Sequence, residues 1–261
     1  MPVPPPPSPA PDVVARLRAA GCVFAEDEAR LLLSAAQTPA ELTAMVDQRV
    51  AGLPLEQILG WAEFCGLRIV VEPGVFVPRR RTELLVREAA ALARPGAVVV
   101  DLCCGSGAVG AALAAAVDGL ELYAVDIDAV AVHCARRNVV GGGQVYEGDL
   151  YEPLPRALRG RVDLLAVNAP YVPTNAVALM PPEARVHEAR VALDGGSDGL
   201  DVQRRVAADA AEWLAPRGHL LIETSERQAR QTAELVARSG LTPRVVRSDD
   251  LDATVVVGSL A

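Results

Sequence analysis

From Ala97 onward hydrophobic positions concentrate in short runs, roughly 97–102, 121–125, 162–167 and 219–223, with a weaker one near 144–147. Apolar runs of this length are buried on both faces when they form strands, and the amphipathic stretches between most of them have helical period. Strand and helix in alternation predict a parallel sheet covered by helices on both sides. The runs at 241–246 and 253–257 lie close together, which suits an antiparallel hairpin at the sheet edge. The pattern as a whole predicts a twisted seven-stranded sheet.

Upstream the period changes. Val13, Val14 and Leu17, then Ala29, Leu31, Leu32 and Leu33, then Leu42, Met45, Val46 and Val50 recur at helical intervals, punctuated by Gly21 and by Thr38-Pro39, a cap followed by a first-turn proline. A small domain of two or three helices is predicted over 12–60. Residues 61–78, with Phe64, Leu67, Ile69, Val71, Val75 and Val77 broken at Cys65-Gly66 and Glu72-Pro73-Gly74, read as a β-hairpin linker. Arg79, Arg80 and Arg81 then open the large domain, 79–261, and 83–93 reads as an amphipathic helix. Residues 1–11, mostly proline, predict a disordered tail.

Composition narrows the function. Residues of hydrophobic type make up 51% of 261 positions and aromatics only 3%, so aliphatic packing must fill the core. All 25 basic residues are arginine, and with the abundant Ala and Val this reads as compositional bias of the source genome. A net charge of -8 argues against a domain that tracks phosphate backbones, making nucleic acid a weaker substrate candidate than protein or small molecule. Five cysteines show neither a disulfide framework nor the spacing of a zinc site, so no metal is expected and a reduced, cytoplasmic setting is. No membrane span is evident.

The first run of the sheet ends in Asp101-Leu102-Cys103-Cys104-Gly105-Ser106-Gly107, a strand passing into a glycine turn. Open α/β sheets bind ligands at this edge, and Gly105 and Gly107 let backbone approach a bound molecule. About twenty residues on, the second run ends at Asp126, where an acid can accept hydrogen bonds from a ribose diol. Turn plus spaced acid points to an adenosine ligand. Gly105, Gly107 and Gly110 also fit the dinucleotide pattern, so a nicotinamide enzyme stays possible. Asp101, suited to an ammonium but awkward beside phosphates, favours S-adenosylmethionine.

So does the end of the 162–167 run, Asn168-Ala169-Pro170-Tyr171. The Asn168 side-chain oxygen and the Ala169 carbonyl can accept both hydrogens of an NH2 group, Pro170 stops the strand, and Tyr171 offers a flat wall. An amide nitrogen is a poor nucleophile, so orientation is the main need and no strong base is required. His133, His187 and His219 are assigned no catalytic part, and Cys103 and Cys104 read as packed thiols. Loop 172–200, rich in Pro and Gly, reads as a substrate lid.

With these motifs together the chain resembles the release-factor glutamine methyltransferase family of HemK/PrmC type, a class I S-adenosylmethionine-dependent group. The likeness extends over 54–60 and 64–67, over Pro73-Gly74-Val75-Phe76-Val77-Pro78-Arg79 with Thr82-Glu83-Leu84-Leu85-Val86, and over Ala192-Leu193-Asp194-Gly195-Gly196 with Asp198-Gly199-Leu200. The resemblance implies that Cys103, Gly105 and Gly107 hold the methionine part of the cofactor, Asp126 the ribose and Asp149-Leu150 the adenine region. Asn168, bordering cofactor and acceptor alike, would bind the substrate amide. It implies as substrate the glutamine of the Gly-Gly-Gln loop in a peptide chain release factor, docked by the helical domain. Four positions depart from the family pattern: Ala169 replaces proline, Cys103 replaces glycine, and Arg80-Arg81 replace Pro-Glu. They keep two other classes in view, methylation of another amide, amine or nucleobase nitrogen, and a cofactor-binding regulator without catalysis.

Overall fold

The structure is a computed structural model and describes residues 10–261; the tail expected over 1–11 lies outside them apart from Ala10 and Pro11, and Pro11 already begins a helix. Helices α1 (Pro11–Ala19), α2 (Ala25–Ala35), α3 (Pro39–Val50) and the short α4 (Leu55–Leu59) form the N-terminal unit. Thr38 caps α3, its hydroxyl oxygen accepting the Glu41 N–H at 3.1 Å. Leu17, Ala25, Ala29, Leu32, Met45 and Val46 make a core of their own, as the periodicity requires.

Strands β1 (Trp61–Phe64) and β2 (Leu67–Val70) pair antiparallel about Cys65 and Gly66, both with positive φ, 50° and 74°. The hairpin is therefore shorter than the 61–78 expected. After Val70 the chain leaves the pair, and Val71, Val75 and Val77 are buried in a connector whose Gly74 bridges to Glu188. Apolar alternation marked those positions as inward-facing, but Pro73-Gly74 denies them a pairing strand. A 3-10 turn (Arg80–Thr82) runs into α5 (Glu83–Leu92).

The large domain holds β3 (Val98–Leu102), β4 (Glu121–Asp126), β5 (Gln144–Glu147), β6 (Val162–Val167), β7 (Leu214–Thr224), β8 (Thr242–Ser248) and β9 (Ala253–Ser259) in one seven-stranded sheet of order β5-β4-β3-β6-β7-β9-β8. The first five are parallel; β9 inserts antiparallel between β7 and β8. Strand β7 starts earlier than the run at 219–223, with a register shift against β6 between Val162 and Leu164. Helices α6 (Ala108–Ala116), α7 (Ala129–Asn138), α9 (Asp201–Trp213) and α10 (Ala229–Arg238) cover the sheet, and the short α8 (Pro182–His187) lies in the segment after β6. Two hydrophobic clusters, one around Leu165, Trp213 and Ile222, the other around Leu85, Leu113 and Leu164, fill its faces. From β3 the chain winds outward to β4 and β5, then returns to the other side as β6. This reversal opens a crevice at the carboxyl ends of β3, β4 and β6.

Candidate active site

A cavity of about 340 Å³ occupies that crevice, within the ordinary range of small-molecule sites. Its lining brings together Asp101, Cys103, Gly105, Asp126, Asp149, Leu150, Asn168, Ala169, Pro170 and Tyr171. Of the residues singled out by sequence, Gly107 lies one step behind, as the left-handed cap of α6 (φ 76°); a Cβ there would stand 2.9 Å from Val139 Cγ2, so α7 can pack only against a glycine.

Asp101 is 1% exposed and accepts one hydrogen bond, from the Gly110 N–H at 2.9 Å. Burial raises its carboxyl to about 7; the Gly110 N–H pulls the other way and nearby Asp126 adds to the rise. A buried carboxyl open to the cavity with one donor is suited to an incoming ammonium. Asp126 binds the loop rather than standing apart: its Oδ2 accepts the Gly105 N–H at 2.8 Å and its Oδ1 the Asp128 N–H at 2.9 Å. Each oxygen keeps lone pairs for a pair of hydroxyls. Burial raises this carboxyl too, against those N–H bonds. Leu150 and Ile127 supply apolar surface beyond it. Asp149 points instead to Arg205, at 2.7 Å. The cavity thus offers, in order, a site for ammonium, a site for a diol and an apolar wall, which fits S-adenosylmethionine.

Cys103 stands in the left-handed region, φ 58°, and Leu150 at 51°. An L side chain there costs on the order of 1–2 kcal/mol, which glycine at 103 would avoid. Burial pushes both the Cys103 and Cys104 thiols well up, so neither is a thiolate.

At the acceptor end, Asn168 Nδ2 donates to Thr82 Oγ1 at 3.2 Å, leaving its Oδ1 for another donor. No hydrogen bond among the described residues ends on the Ala169 carbonyl. Tyr171 O–H donates to Glu223 Oε1 at 3.4 Å, and burial raises the phenol to about 12, helped by the Glu223 charge and opposed by Arg81. The 192–200 stretch is pressed backbone to backbone on this motif. A Cβ at Gly199 would lie 2.3 Å from the Tyr171 carbonyl oxygen, and Gln228 Nε2 donates to both Tyr171 O and Asp198 O at 3.0 Å.

Sequence reasoning gave no part to Thr82, Glu223 or Gln228. Glu223 carried a signal: it ends the apolar run Leu220-Leu221-Ile222 at an inward position, and it is 2% exposed. Thr82 stood in the family-like stretch 82–86 but carried no sign of its partner, Asn168, 86 residues on. Segment 172–200, read as a lid, is tied to the rest of the chain by Arg49 to Glu183 at 2.6 Å, by Gln57 Nε2 to the His187 carbonyl at 3.2 Å, and by Arg79 to buried Glu188.

Sheet order, glycine turn and strand-end acids together define a class I S-adenosylmethionine-dependent methyltransferase. Residues 66–199 match the family model of the Methyltransferase small domain. The chain is 39% identical over 226 residues, 84% of its own length and 78% of the relative's, to the release factor glutamine methyltransferase of Geobacter sulfurreducens. It is 36% identical, over 79% of its length and 73% of the relative's, to the 4-amino-L-phenylalanine/4-methylamino-L-phenylalanine methyltransferase of Streptomyces pristinaespiralis. Among solved structures, a Pyrococcus furiosus methyltransferase shares the fold with TM-score 0.57 and 16% identity, covering 74% of this chain and 89% of that one. The chain belongs to the release factor glutamine methyltransferase family.

Proposed function

We propose that this enzyme transfers a methyl group from S-adenosylmethionine to the side-chain amide nitrogen of a protein glutamine, the Gly-Gly-Gln glutamine of a peptide chain release factor. The observation that carries the reading is the pair of unengaged acceptors, Asn168 Oδ1 and the Ala169 carbonyl, at the mouth of a cavity suited to the cofactor. Asp101 would hold the ammonium, Asp126 the ribose diol, Cys103, Gly105 and Gly107 the methionine part, and Leu150 beside Asp149 the adenine.

The cofactor, when bound, supplies a sulfonium methyl carbon whose C–S bond breaks as the N–C bond forms. The chain's own work is orientation. Asn168 Oδ1 and the Ala169 carbonyl accept the two N–H bonds of the acceptor, aim its nitrogen and stabilise the positive charge that grows there. One N–H proton then passes to water. Pro170 fixes the backbone so that the Ala169 carbonyl stays extended, which offsets the missing proline at 169. Tyr171 walls the acceptor side.

The helical domain, 12–60, would dock the acceptor protein, and 79–261 would carry the chemistry. Every cysteine is unbridged, including adjacent Cys103 and Cys104, which supports a cytoplasmic setting. No helix among the described residues is long and apolar enough to cross a membrane. A second reading, an aromatic or aliphatic amine as acceptor, is supported by the likeness to the 4-amino-L-phenylalanine methyltransferase and by Arg81 at the cavity, where a carboxylate could pair.

Labelled cofactor and a release factor, followed by mass spectrometry, test the proposal: label is expected on the Gly-Gly-Gln glutamine. Asn168→Ala is expected to lower turnover by about 10²–10³, the usual cost of one transition-state hydrogen bond, with cofactor affinity nearly intact. Surviving turnover in that variant would remove Asn168 from the mechanism.

A further inference from the structure

Asn138 ends α7 and takes no part in the chemistry above, yet its amide makes three hydrogen bonds to two segments distant in the chain. Oδ1 accepts the Val70 N–H at 2.8 Å, and Nδ2 donates to the Val70 carbonyl at 2.9 Å and to the Ser106 carbonyl at 2.8 Å. An asparagine amide can be turned end for end, but only one orientation satisfies a donor and two acceptors together. The network fixes that orientation.

The two segments differ in kind. In β2, Val70 stands opposite Trp61, and because the next residue, Val71, donates to the Gly60 carbonyl at 3.0 Å, the N–H and C=O of Val70 point away from β1. Asn138 meets both, as a third strand would, and the Cys134 thiol one turn back also donates to the Val70 carbonyl, at 3.2 Å. Ser106 belongs instead to the glycine loop, lines the cavity and is 3% exposed. Asn138 does not line the cavity, so the Ser106 carbonyl is held from behind the loop. The other side of the same peptide is held as well, the Gly107 N–H donating to the Cys104 carbonyl at 2.7 Å. Gly107 also sits on the last turn of α7, where a Cβ would stand 3.1 Å from Ala135 Cβ. The helix touches the candidate cofactor site at its other end too, since the N–H of its cap, Asp128, donates to Asp126.

We propose that Asn138 is a positioning residue for the cofactor: from the last turn of α7 it fixes the Ser106–Gly107 peptide of the glycine loop and, with the same amide, fastens the β1–β2 hairpin to that loop. Without it the Ser106 carbonyl has no partner and the peptide is free to turn, so the loop meets its ligand unorganised and binding must supply the ordering. The hairpin shares in this. Cofactor binding that orders the loop also orders the hairpin, and loosening the hairpin weakens the cofactor in return, because such coupling is reciprocal. The hairpin joins the helical unit to the large domain, so one side chain links that junction to the cofactor end of the sheet. The inference rests on the role given to loop 103–107 above.

Asn138→Asp keeps the shape but loses both donors and sets a carboxylate against two carbonyl oxygens, whereas Asn138→Ala removes the amide without that repulsion. In both, the Kd for S-adenosylmethionine by calorimetry is expected to rise about tenfold, the scale of one hydrogen bond lost, while kcat at saturating cofactor holds. Should the aspartate variant fail to fold, the alanine variant decides. Hydrogen exchange gives a second readout at Val71, whose bond to Gly60 does not involve Asn138 and which does not line the cavity. Saturating cofactor is expected to slow exchange at Val71 in the parent but not in Asn138→Ala, and to slow Gly110, bonded to Asp101, in both. A residue that only stabilised the fold would lower the unfolding temperature and leave the Kd, measured well below it, at the parent value. That result, or equal slowing at Val71 in parent and alanine variant, would overturn the proposal. A parent protein that binds no S-adenosylmethionine would instead sink the underlying reading of the loop, so the two failures are told apart.

Discussion

Asp101 is a carboxyl that burial shifts toward neutral pH. Its ordinary value is 3.8 and burial raises it to about 7 in the ligand-free protein. For an acid raised by folding, the protonated form is the one the fold favours. The associated stability is fully present below the unfolded value, and it is lost as pH rises through about 7. At 1.36 kcal/mol per unit, the cost of the ionised group at pH 8 is on the order of a few kcal/mol. An ammonium in the cavity would reverse the preference. Two outcomes are expected together. Asp101→Asn should raise the unfolding temperature of the ligand-free protein at pH 8, with little effect near pH 4. Cofactor affinity, by calorimetry, should weaken as pH falls below about 7 in the parent protein and lose that dependence in the variant. Affinity unchanged between pH 8 and pH 5.5 would deny Asp101 the ammonium.

Among the elements, those with a strong period were legible and those shaped by distant contacts were not. The apolar run at 162–167 is β6 to the residue, and Thr38-Pro39 opens α3 as a cap and first turn should. The second half of the 61–78 hairpin failed because alternation reports burial, and a connector can be buried without a partner strand. Strand β7 began early because a register shift carries no local signature. Of the site, the cavity-lining acids and the Asn168 motif could be read, since each sits where a run of apolar residues stops. Thr82 could not, because its importance arises only when the turn before α5 meets the end of β6. The tie between α3 and the segment after β6 was equally invisible. Arg49, 7% exposed, holds buried Glu28 with two hydrogen bonds at 2.6 and 3.1 Å and reaches half-exposed Glu183. Removing the arginine strands Glu28 without a partner, for which about 3–5 kcal/mol is usual. Glu183→Gln, on the exposed side, should cost no more than about 1 kcal/mol. Denaturant unfolding of Arg49→Ala and Glu183→Gln is expected to reproduce that order, and equal losses would mean that Glu28 finds another partner.

For the molecule as a whole, the helical unit is tied by side chains to the segment that follows the Asn168 motif. The ties from Arg49 and Gln57 land on Glu183 and on the His187 carbonyl. A protein gripped by the helical unit would therefore present its glutamine at a fixed distance, whereas a small amine would gain nothing from that grip. The unit also displays Val23 and Phe24, 84% and 69% exposed, at the turn before α2, beside a groove that Glu183 helps to line. Large apolar side chains this exposed add little to the core, but gathered at one turn they suit an interface. Val23→Ser with Phe24→Ser should leave the unfolding temperature and cofactor affinity unchanged. With a full-length release factor as acceptor, KM is expected to rise about tenfold, the effect of roughly 1.4 kcal/mol, while kcat holds. With a short glutamine peptide or an aromatic amine, the same variant should match the parent in both constants. An unaltered KM for the full-length protein would separate the helical unit from docking, and it would shift weight toward a small acceptor met by the cavity alone.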